Sequence, residues 1–142
     1  MVAYSFKKRF WVPIRQGSKI QTIRADRKRH ARPGEELQLY CGMRTKRCEL
    51  IARATCRFID PIRINFVQER IEVGDAGAPT VFDRRADLDS FARADGFLTW
   101  DDMREFWERE HTESVLRGAW SGVCIVWKDA FGFIKPWERF GL

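Results

Sequence analysis

Three polar side chains of this sequence could together carry out acyl transfer: Lys19, Thr22 and Asp95. Lys19 follows the glycine turn at Gly17, and burial or the charge of Arg24 would destabilise its ammonium, so that the amine could act as a base near neutral pH. Thr22 offers a hydroxyl group and Asp95 a carboxylate. A base, a hydroxyl nucleophile and a carboxylate form a plausible set for this chemistry.

The spacing of Lys19 and Thr22 sets a condition on this hypothesis. In a regular strand, residues three positions apart point to opposite faces. The two side chains can therefore meet one substrate only if Lys19 lies in the preceding turn or a bulge intervenes. The alternative is a structural role for all three, with Lys19 as a surface charge, Thr22 as a strand residue and Asp95 as a turn or helix-terminus residue.

A basic segment follows the first two of these residues and could line one side of a cleft. The candidate binding residues are Arg24, Arg27, Lys28, Arg29, Arg32, Tyr40, Arg44 and Lys46. Such cations neutralise phosphates, and an aromatic ring such as Tyr40, Trp11 or Trp120 can stack on an exposed base. A solvated loop and core aromatic residues are the alternatives.

Composition limits the class of protein. The 142 residues are expected to form a single domain, 1–142, with the aromatic stretch 129–142 packing on it as a C-terminal extension. The 26 basic and 20 acidic residues give a formal charge of +6, which favours polyanionic partners such as RNA. No apolar stretch predicts a membrane span or a secretory leader, so we predict a cytoplasmic protein without a membrane partner.

The cysteines and histidines show no metal-ligand spacing, and no cofactor motif is present, so neither a metal nor a cofactor is predicted. The four cysteines are expected to be reduced thiols, with a disulfide between Cys41 and Cys56 as the alternative.

Apolar patterning predicts a strand-rich first half and a helical second half. Strands are expected at 3–6, 19–24, 37–41, within 49–66 with a break at Asp60-Pro61, at 67–73 and at 122–127; helices are expected at 8–16, 87–94 and 100–111. At the start of the last helix, Thr99 is the predicted N-cap. The stripe of Trp100, Met103, Phe106 and Trp107 is expected to face the core.

Three segments, taken in order, resemble the ASCH family of the PUA-like superfamily. They are Gly17-Ser18-Lys19-Ile20-Gln21-Thr22-Ile23-Arg24, the turn Pro33-Gly34-Glu35 entering a strand, and Asp95-Gly96-Phe97 before the last long helix. The resemblance runs from Phe6 to about Trp127. It implies an α+β fold built on a small, curved or barrel-like mixed β-sheet flanked by helices.

The resemblance also implies a function. Some small members of this family remove the acetyl group from N(4)-acetylcytidine with a lysine, a threonine and an acidic residue, roles that fall on Lys19, Thr22 and Asp95. Those enzymes have Glu where this chain has Asp95, and their spacing to the following helix differs. The first hypothesis is therefore an amidohydrolase that deacylates an N(4)-acylated cytidine, with Arg24 holding the ligand. A non-catalytic RNA-binding module is the second hypothesis, and an endoribonuclease the third.

Overall fold

A computed structural model describes residues 1–128, which contain eight strands and four α-helices. The strands are β1 (Val2–Phe6), β2 (Gln21–Arg24), β3 (Glu36–Cys41), β4 (Glu49–Thr55), β5 (Phe58–Asn65), β6 (Arg70–Val73), β7 (Thr80–Phe82) and β8 (Trp120–Val126). The helices are α1 (Trp11–Gln16), α2 (Arg85–Ala94), α3 (Trp100–Glu110) and α4 (Thr112–Arg117), and a 3-10 turn, Lys8–Phe10, precedes α1. The predicted C-terminal extension, 129–142, lies outside the described residues.

The strands form two hydrogen-bonded sheets. One has the order β1-β3-β4, with β1 parallel to β3 and β3 antiparallel to β4. The other has the order β2-β8-β5-β6-β7, and all its neighbours are antiparallel. The α+β class is confirmed. The expected single barrel-like sheet is corrected to two separate sheets, and within residues 1–128 no closed barrel forms.

Helix α1 and the turn after it place the start of β2. Pro13 lies in the first turn of α1, where a missing backbone donor costs no hydrogen bond. Gly17 ends the helix with φ of 84°, a left-handed conformation that glycine adopts without strain. The Pro13 carbonyl then accepts hydrogen bonds from the amides of Gly17, Ser18 and Lys19. The backbone of Lys19 is thus fixed in a turn, before β2 begins.

Helix α3 supplies much of the core between the helices and the larger sheet. The Thr99 hydroxyl accepts a hydrogen bond from the amide of Asp102 at 3.1 Å, as its predicted N-cap role requires. Trp100, Met103 and Trp107 are buried, and Trp100 stacks on Phe66 with ring centroids 5.4 Å apart. The predicted core stripe is confirmed, with Phe106 half-buried at its edge.

Several boundaries differ from the prediction: β2 begins at Gln21 and not at residue 19, β6 begins at Arg70 and not at residue 67, and β8 begins two residues early, at Trp120. The expected break at Asp60-Pro61 lies instead at residues 56–57, and Pro61 sits inside β5. The Pro61 carbonyl accepts from the amide of Gly74, just beyond the end of β6, and the Gly74 carbonyl accepts from Arg63 Nη2 at 3.1 Å, so that carbonyl has a donor without a Pro61 amide. Strand β7 and helix α4 were not predicted.

The four cysteines are free thiols, so the Cys41–Cys56 disulfide is not formed. Of the helices in residues 1–128, none has the length and apolar character needed to cross a membrane.

Candidate active site

A cleft of about 350 Å³ lies between the end of β1, the turn before β2, strand β2 itself, the α2–α3 connection, helix α3 and the start of β8. Its polar lining includes Lys19, Thr22, Arg24 and Asp95, all of which were predicted from the sequence. Its walls are largely aromatic, from Phe6, Phe10, Phe97, Phe106, Trp107 and Trp120. Small-molecule sites commonly combine apolar walls with a few convergent polar groups in this way.

Lys19 enters the cleft from the turn before β2. Only 3% of the residue is exposed, and its Nζ donates a hydrogen bond of 2.5 Å to the backbone carbonyl of Asp95. The same atom lies 3.6 Å from Asp95 Oδ1 and 4.7 Å from the ring centroid of Phe10. Because Lys19 precedes the strand, it can share a cleft with Thr22, and the condition set by their spacing is met.

Asp95 ends helix α2 and is held in place by backbone contacts. Its amide bonds to the carbonyls of Phe91 and Ala92, and the carbonyl of the preceding residue, Ala94, accepts from the amide of Ile20 at 2.9 Å. This last bond joins the end of α2 to the residue after Lys19. The lysine and the carboxylate are therefore fixed to each other through backbone as well as through their side chains.

Gly96 is needed for this arrangement for two independent reasons. Its φ of 96° lies in the region that side-chain-bearing residues rarely adopt. A Cβ at this position would also lie 2.8 Å from Lys19 Cδ and 3.0 Å from Phe10 Cδ1. The Asp95-Gly96 pair thus places the carboxylate while leaving room for the lysine stem.

Burial dominates the titration of both charged groups. Desolvation lowers the pKa of Lys19 to about 8, despite the opposing attraction of Asp95, and Arg24 lowers it further. Desolvation raises the pKa of Asp95 to about 6, against the opposing effects of Lys19, Gln21 and Arg24. Lysine with a pKa near 8 exists partly as the free amine at neutral pH, as a base requires.

Thr22 and Arg24 lie on one face of β2 and are linked directly. Arg24 Nε donates to Thr22 Oγ1 at 3.0 Å, and Nη2 donates to the Ser5 carbonyl at 2.6 Å. The guanidinium also lies 4.8 Å from the ring centroid of Phe6. Arg24 therefore holds the Thr22 hydroxyl and the end of β1, a structural task beyond the ligand-holding role predicted for it.

Gln21 is a site residue that sequence reasoning missed. It is fully buried on β2, and its amide favours the ionised form of the Asp95 carboxyl. Within residues 1–128, neither its amide nitrogen nor its amide oxygen makes a hydrogen bond of ordinary geometry, and neither does Asp95 Oδ1. The available signal was a glutamine among the apolar and β-branched residues of a short strand.

The rim of the cleft was also missed. Lys7 and Glu110 form an ion pair of 3.2 Å between the end of β1 and the end of α3. His111 follows Glu110, lines the cleft and packs on Trp107 with ring centroids 4.7 Å apart. The Lys7–Glu110 pair joins positions 103 residues apart, and no local pattern predicts it.

Most of the predicted binding residues lie away from this cleft. Arg27 packs on the ring of Tyr4, with 4.9 Å to the centroid, and Arg29 pairs with Glu35 at 2.7 Å. The Tyr40 hydroxyl donates to Gln38 Oε1 at 3.0 Å. The remaining predicted cations are exposed, two in the loop before β3 and two in the β3–β4 hairpin: Lys28, Arg32, Arg44 and Lys46. Of the eight candidate binding residues, Arg24 alone lines the cleft, and of the three candidate stacking rings, Trp120 lines it.

Comparisons with known proteins add no identification. In residues 1–128, no group of three or more His, Cys, Asp or Glu side chains is placed to hold a metal ion. No family model, curated protein or solved structure matches this chain.

Proposed function

We propose that this chain is an amidohydrolase of the ASCH type, within the PUA-like superfamily, that removes the acyl group from an N(4)-acylated cytidine. The observation that carries the proposal is the convergence of Lys19, Thr22 and Asp95 on one cleft. A regular strand would have separated the first two residues, whereas the turn around the Pro13 carbonyl lets both face the same space.

The proposed reaction begins with Lys19 as the base. Its free amine accepts a proton from the Thr22 hydroxyl or from a water molecule, and the oxygen so activated attacks the carbonyl carbon of the acyl group. Arg24 Nε already bonds to Thr22 Oγ1, so its guanidinium lies where the nucleophile is. It stabilises the negative charge that develops on the acyl carbonyl oxygen during the attack.

Asp95 completes the proton transfer. The proton taken by Lys19 passes to the Asp95 carboxylate, 3.6 Å from the amine, and then to the exocyclic nitrogen as the carbon–nitrogen bond breaks. If Thr22 is the nucleophile, a water molecule then hydrolyses the acyl-threonine ester. One water is consumed overall, and the products are cytidine and a carboxylic acid.

The test is hydrolysis of N(4)-acetylcytidine to cytidine, followed by chromatography. We expect Lys19→Ala and Thr22→Ala to lose turnover by a factor of about 100 or more, the usual contribution of a general base or a nucleophile. Lys28→Ala, an exposed lysine outside the cleft, is the matched control and should retain full activity. Folded wild-type protein without turnover would refute the proposal.

An RNA-binding module without turnover is the second candidate, and the exposed cations outside the cleft favour it. Lys28, Arg44 and Lys46 can contact phosphates without any part of the cleft. In that case Lys19→Ala should leave the RNA affinity nearly unchanged, because the lysine is buried and the exposed cations remain. A salt-dependent titration with an RNA oligonucleotide measures this directly.

A further inference from the structure

Gln21 is the first residue of β2, and it is completely buried. Glutamine is rarely buried to this extent unless its amide has hydrogen-bond partners. In the part of the chain that the structure describes, however, neither end of this amide makes a hydrogen bond of ordinary geometry. A buried amide without such bonds lowers the stability of a fold. Stability therefore does not account for a glutamine at this position.

The backbone holds Gln21 against the end of α2, where Asp95 lies. The amide of Ile20, the residue before Gln21, donates to the carbonyl of Ala94, the residue before Asp95, at 2.9 Å. Asp95 Oδ1 is buried too, and among the described residues it also lacks a hydrogen bond of ordinary geometry. Burial raises the pKa of Asp95 to about 6, and hydrogen bonding to the Gln21 side chain opposes that rise. The carboxyl and the carboxamide thus act on each other in one desolvated space.

Gln21 reaches this carboxyl from outside the cleft. Adjacent residues of a strand point to opposite faces, and the neighbour of Gln21, Thr22, faces the cleft. The described residues that line the cleft include Thr22 and Asp95 but not Gln21. A substrate in the cleft would therefore touch the carboxyl group and not the amide. Gln21 can act on the reaction only through Asp95.

A carboxamide suits a carboxyl group that changes its protonation state. In the proposed reaction Asp95 takes a proton from Lys19 and passes it on, so its carboxyl group accepts hydrogen bonds before the transfer and can donate one after it. The NH₂ group of Gln21 donates to the carboxylate, and its oxygen accepts from the protonated carboxyl once the amide has turned over. Since no described residue binds either end of the amide with ordinary geometry, this turn breaks no other such bond.

We propose that Gln21 is the positioning residue of Asp95, and that its carboxamide holds the carboxyl group against Lys19 both before and after the proton transfer. This role rests on the proposed function, because it requires Asp95 to carry a proton during the reaction. Methionine would fill the same space without a hydrogen-bonding group, and glutamate would place a second carboxyl group beside the first. Of these three side chains of similar length, glutamine alone offers an uncharged donor and an acceptor together.

Other charged groups also act on this carboxyl group. Lys19 in the turn and Arg24 on β2 both favour its ionised form, and Cys124 of β8 acts in turn on the charge of Lys19. The titratable groups at the rim of the cleft are Lys7, Glu110 and His111. All of these remain when Gln21 is replaced, so a changed titration of Asp95 reports the loss of the amide.

The experiment follows the carboxyl carbon of Asp95 by NMR as the pH is raised, in full-length protein labelled with carbon-13 aspartate, and Asp95→Asn identifies its signal. The wild-type midpoint is expected at a pKa of about 6. Gln21→Met should move the midpoint upward, and Gln21→Glu should move it further, because like charges resist joint ionisation. Gln38→Met, which replaces a half-buried strand glutamine outside the cleft, is the matched control and should leave the midpoint unchanged. Cooperative unfolding in urea shows which variants are folded.

Hydrolysis of N(4)-acetylcytidine by the same proteins gives the second readout. Gln21→Met should lower kcat by a factor of about 10 to 100, because a displaced carboxyl group transfers the proton poorly. KM should change little, since Gln21 does not line the cleft that holds the substrate. The lower break in the pH profile of kcat/KM should move upward together with the NMR midpoint. Gln38→Met should keep the wild-type kcat, KM and profile.

Two outcomes overturn the proposal: an Asp95 midpoint that is the same in folded Gln21→Met and in the wild type, and a shifted midpoint with full kcat. If Gln21→Glu does not fold, Gln21→Met still decides between them. If no protein hydrolyses N(4)-acetylcytidine, the proposed function fails and the titration decides alone. A shifted midpoint then still supports control of the Asp95 carboxyl by Gln21, and an unshifted one rejects it.

Discussion

The buried lysine and aspartate are the residues whose properties depart furthest from those of the same groups in water. Desolvation lowers the pKa of Lys19 to about 8 and raises the pKa of Asp95 to about 6, so each ionised form is disfavoured by burial even with the other charge beside it. Such opposed shifts in a cleft mark groups suited to accept and deliver protons.

The pH dependence of turnover is the first prediction. Because Lys19 must lose its proton to act as the base, kcat/KM should rise with pH and approach a plateau above about 8. Lys19→Arg keeps a positive charge that cannot be removed in this range, and it should reduce turnover by a factor of about 100 or more. The profile is measured on N(4)-acetylcytidine, with Lys28→Arg as the control. A flat profile between pH 7 and 9 would exclude Lys19 as the base.

Gly96→Ala is the second prediction, and Gly34→Ala is its control. Both glycines have φ near 95°, at 96° and 93°, but a Cβ at 34 would meet no atom within 4 Å, whereas at 96 it would meet Lys19 and Phe10. The control should show the backbone strain alone, on the order of 1 kcal/mol. Gly96→Ala should cost more and should also displace Lys19, lowering turnover. Equal losses in urea unfolding, with activity retained, would show that the space beside Lys19 is not needed.

At the scale of elements, helix α3 joins the core to the cleft. Trp107 is buried in the core and lines the cleft, and Glu110 forms the rim with Lys7. The start of the helix is fixed by reciprocal bonds, because the Thr99 hydroxyl accepts from the Asp102 amide and the Asp102 carboxylate accepts from the Leu98 amide at 2.9 Å. Arg9 binds the same carboxylate at 2.7 Å and ties the helix to the segment after β1.

The cap supplies the third prediction. Thr99→Ala removes the acceptor for the Asp102 amide and should lower the free energy of unfolding by about 1 kcal/mol. Thr99→Ser keeps the hydroxyl and should lose much less. Both are measured by urea denaturation, and an equal loss in the two variants would mean that the Thr99 methyl group, and not the cap, is responsible.

Local patterns predicted the elements that carry their own signals. The cap at Thr99 and the stripe from Trp100 to Trp107 predicted α3, and the glycine at 17 predicted the end of α1. Strand β7 and helix α4 span 3 and 6 residues, too few for a periodic pattern to be read. Pro61 predicted a break that the structure does not have, because the Gly74 carbonyl opposite it accepts a hydrogen bond from the Arg63 side chain, which takes the place of a Pro61 amide.

The candidate site was predictable only in part, for a related reason. Lys19, Thr22, Arg24 and Asp95 lie in segments with recognisable residue patterns. The rim pair Lys7–Glu110 and the buried Gln21 depend on how distant elements pack, which no short window contains. The basic loop was expected to line a cleft, but Arg27 packs on Tyr4 and Arg29 pairs with Glu35, both outside the cleft that the site residues line.

At the scale of the whole molecule, the site lies where the two halves of the chain meet. Ile20, between Lys19 and β2, donates to Ala94 at the end of α2 and accepts from Trp127 after β8. The buried ion pair therefore lies at a junction between the β-rich first half and the helical second half. Buried charges at such a junction carry a cost that well-packed neutral side chains would not.

The two pKa values determine how the stability of the fold changes with pH. Between about pH 8 and 10.5 the unfolded Lys19 holds a proton that the folded one has lost, so stability rises with pH in that window. Between about pH 3.8 and 6 the folded Asp95 holds a proton that the unfolded one has lost, so stability falls as pH rises there. From about pH 6 to 8 both groups are charged in the folded protein, and the full cost of burying them is present.

Replacing both groups is the fourth prediction. The double variant Lys19→Met, Asp95→Asn should be inactive but more stable than the wild type near pH 7, by about 1 to 4 kcal/mol, because neither buried charge remains. The gain should shrink towards pH 10 and towards pH 4, where the wild type has already neutralised one member of the pair. Lys19→Met alone should be less stable than the double variant at pH 7, since it leaves the Asp95 carboxylate buried without its partner. Urea unfolding at pH 4, 7 and 10 measures all three proteins, and a double variant less stable than the wild type at pH 7 would show that the pair stabilises the fold in spite of its burial.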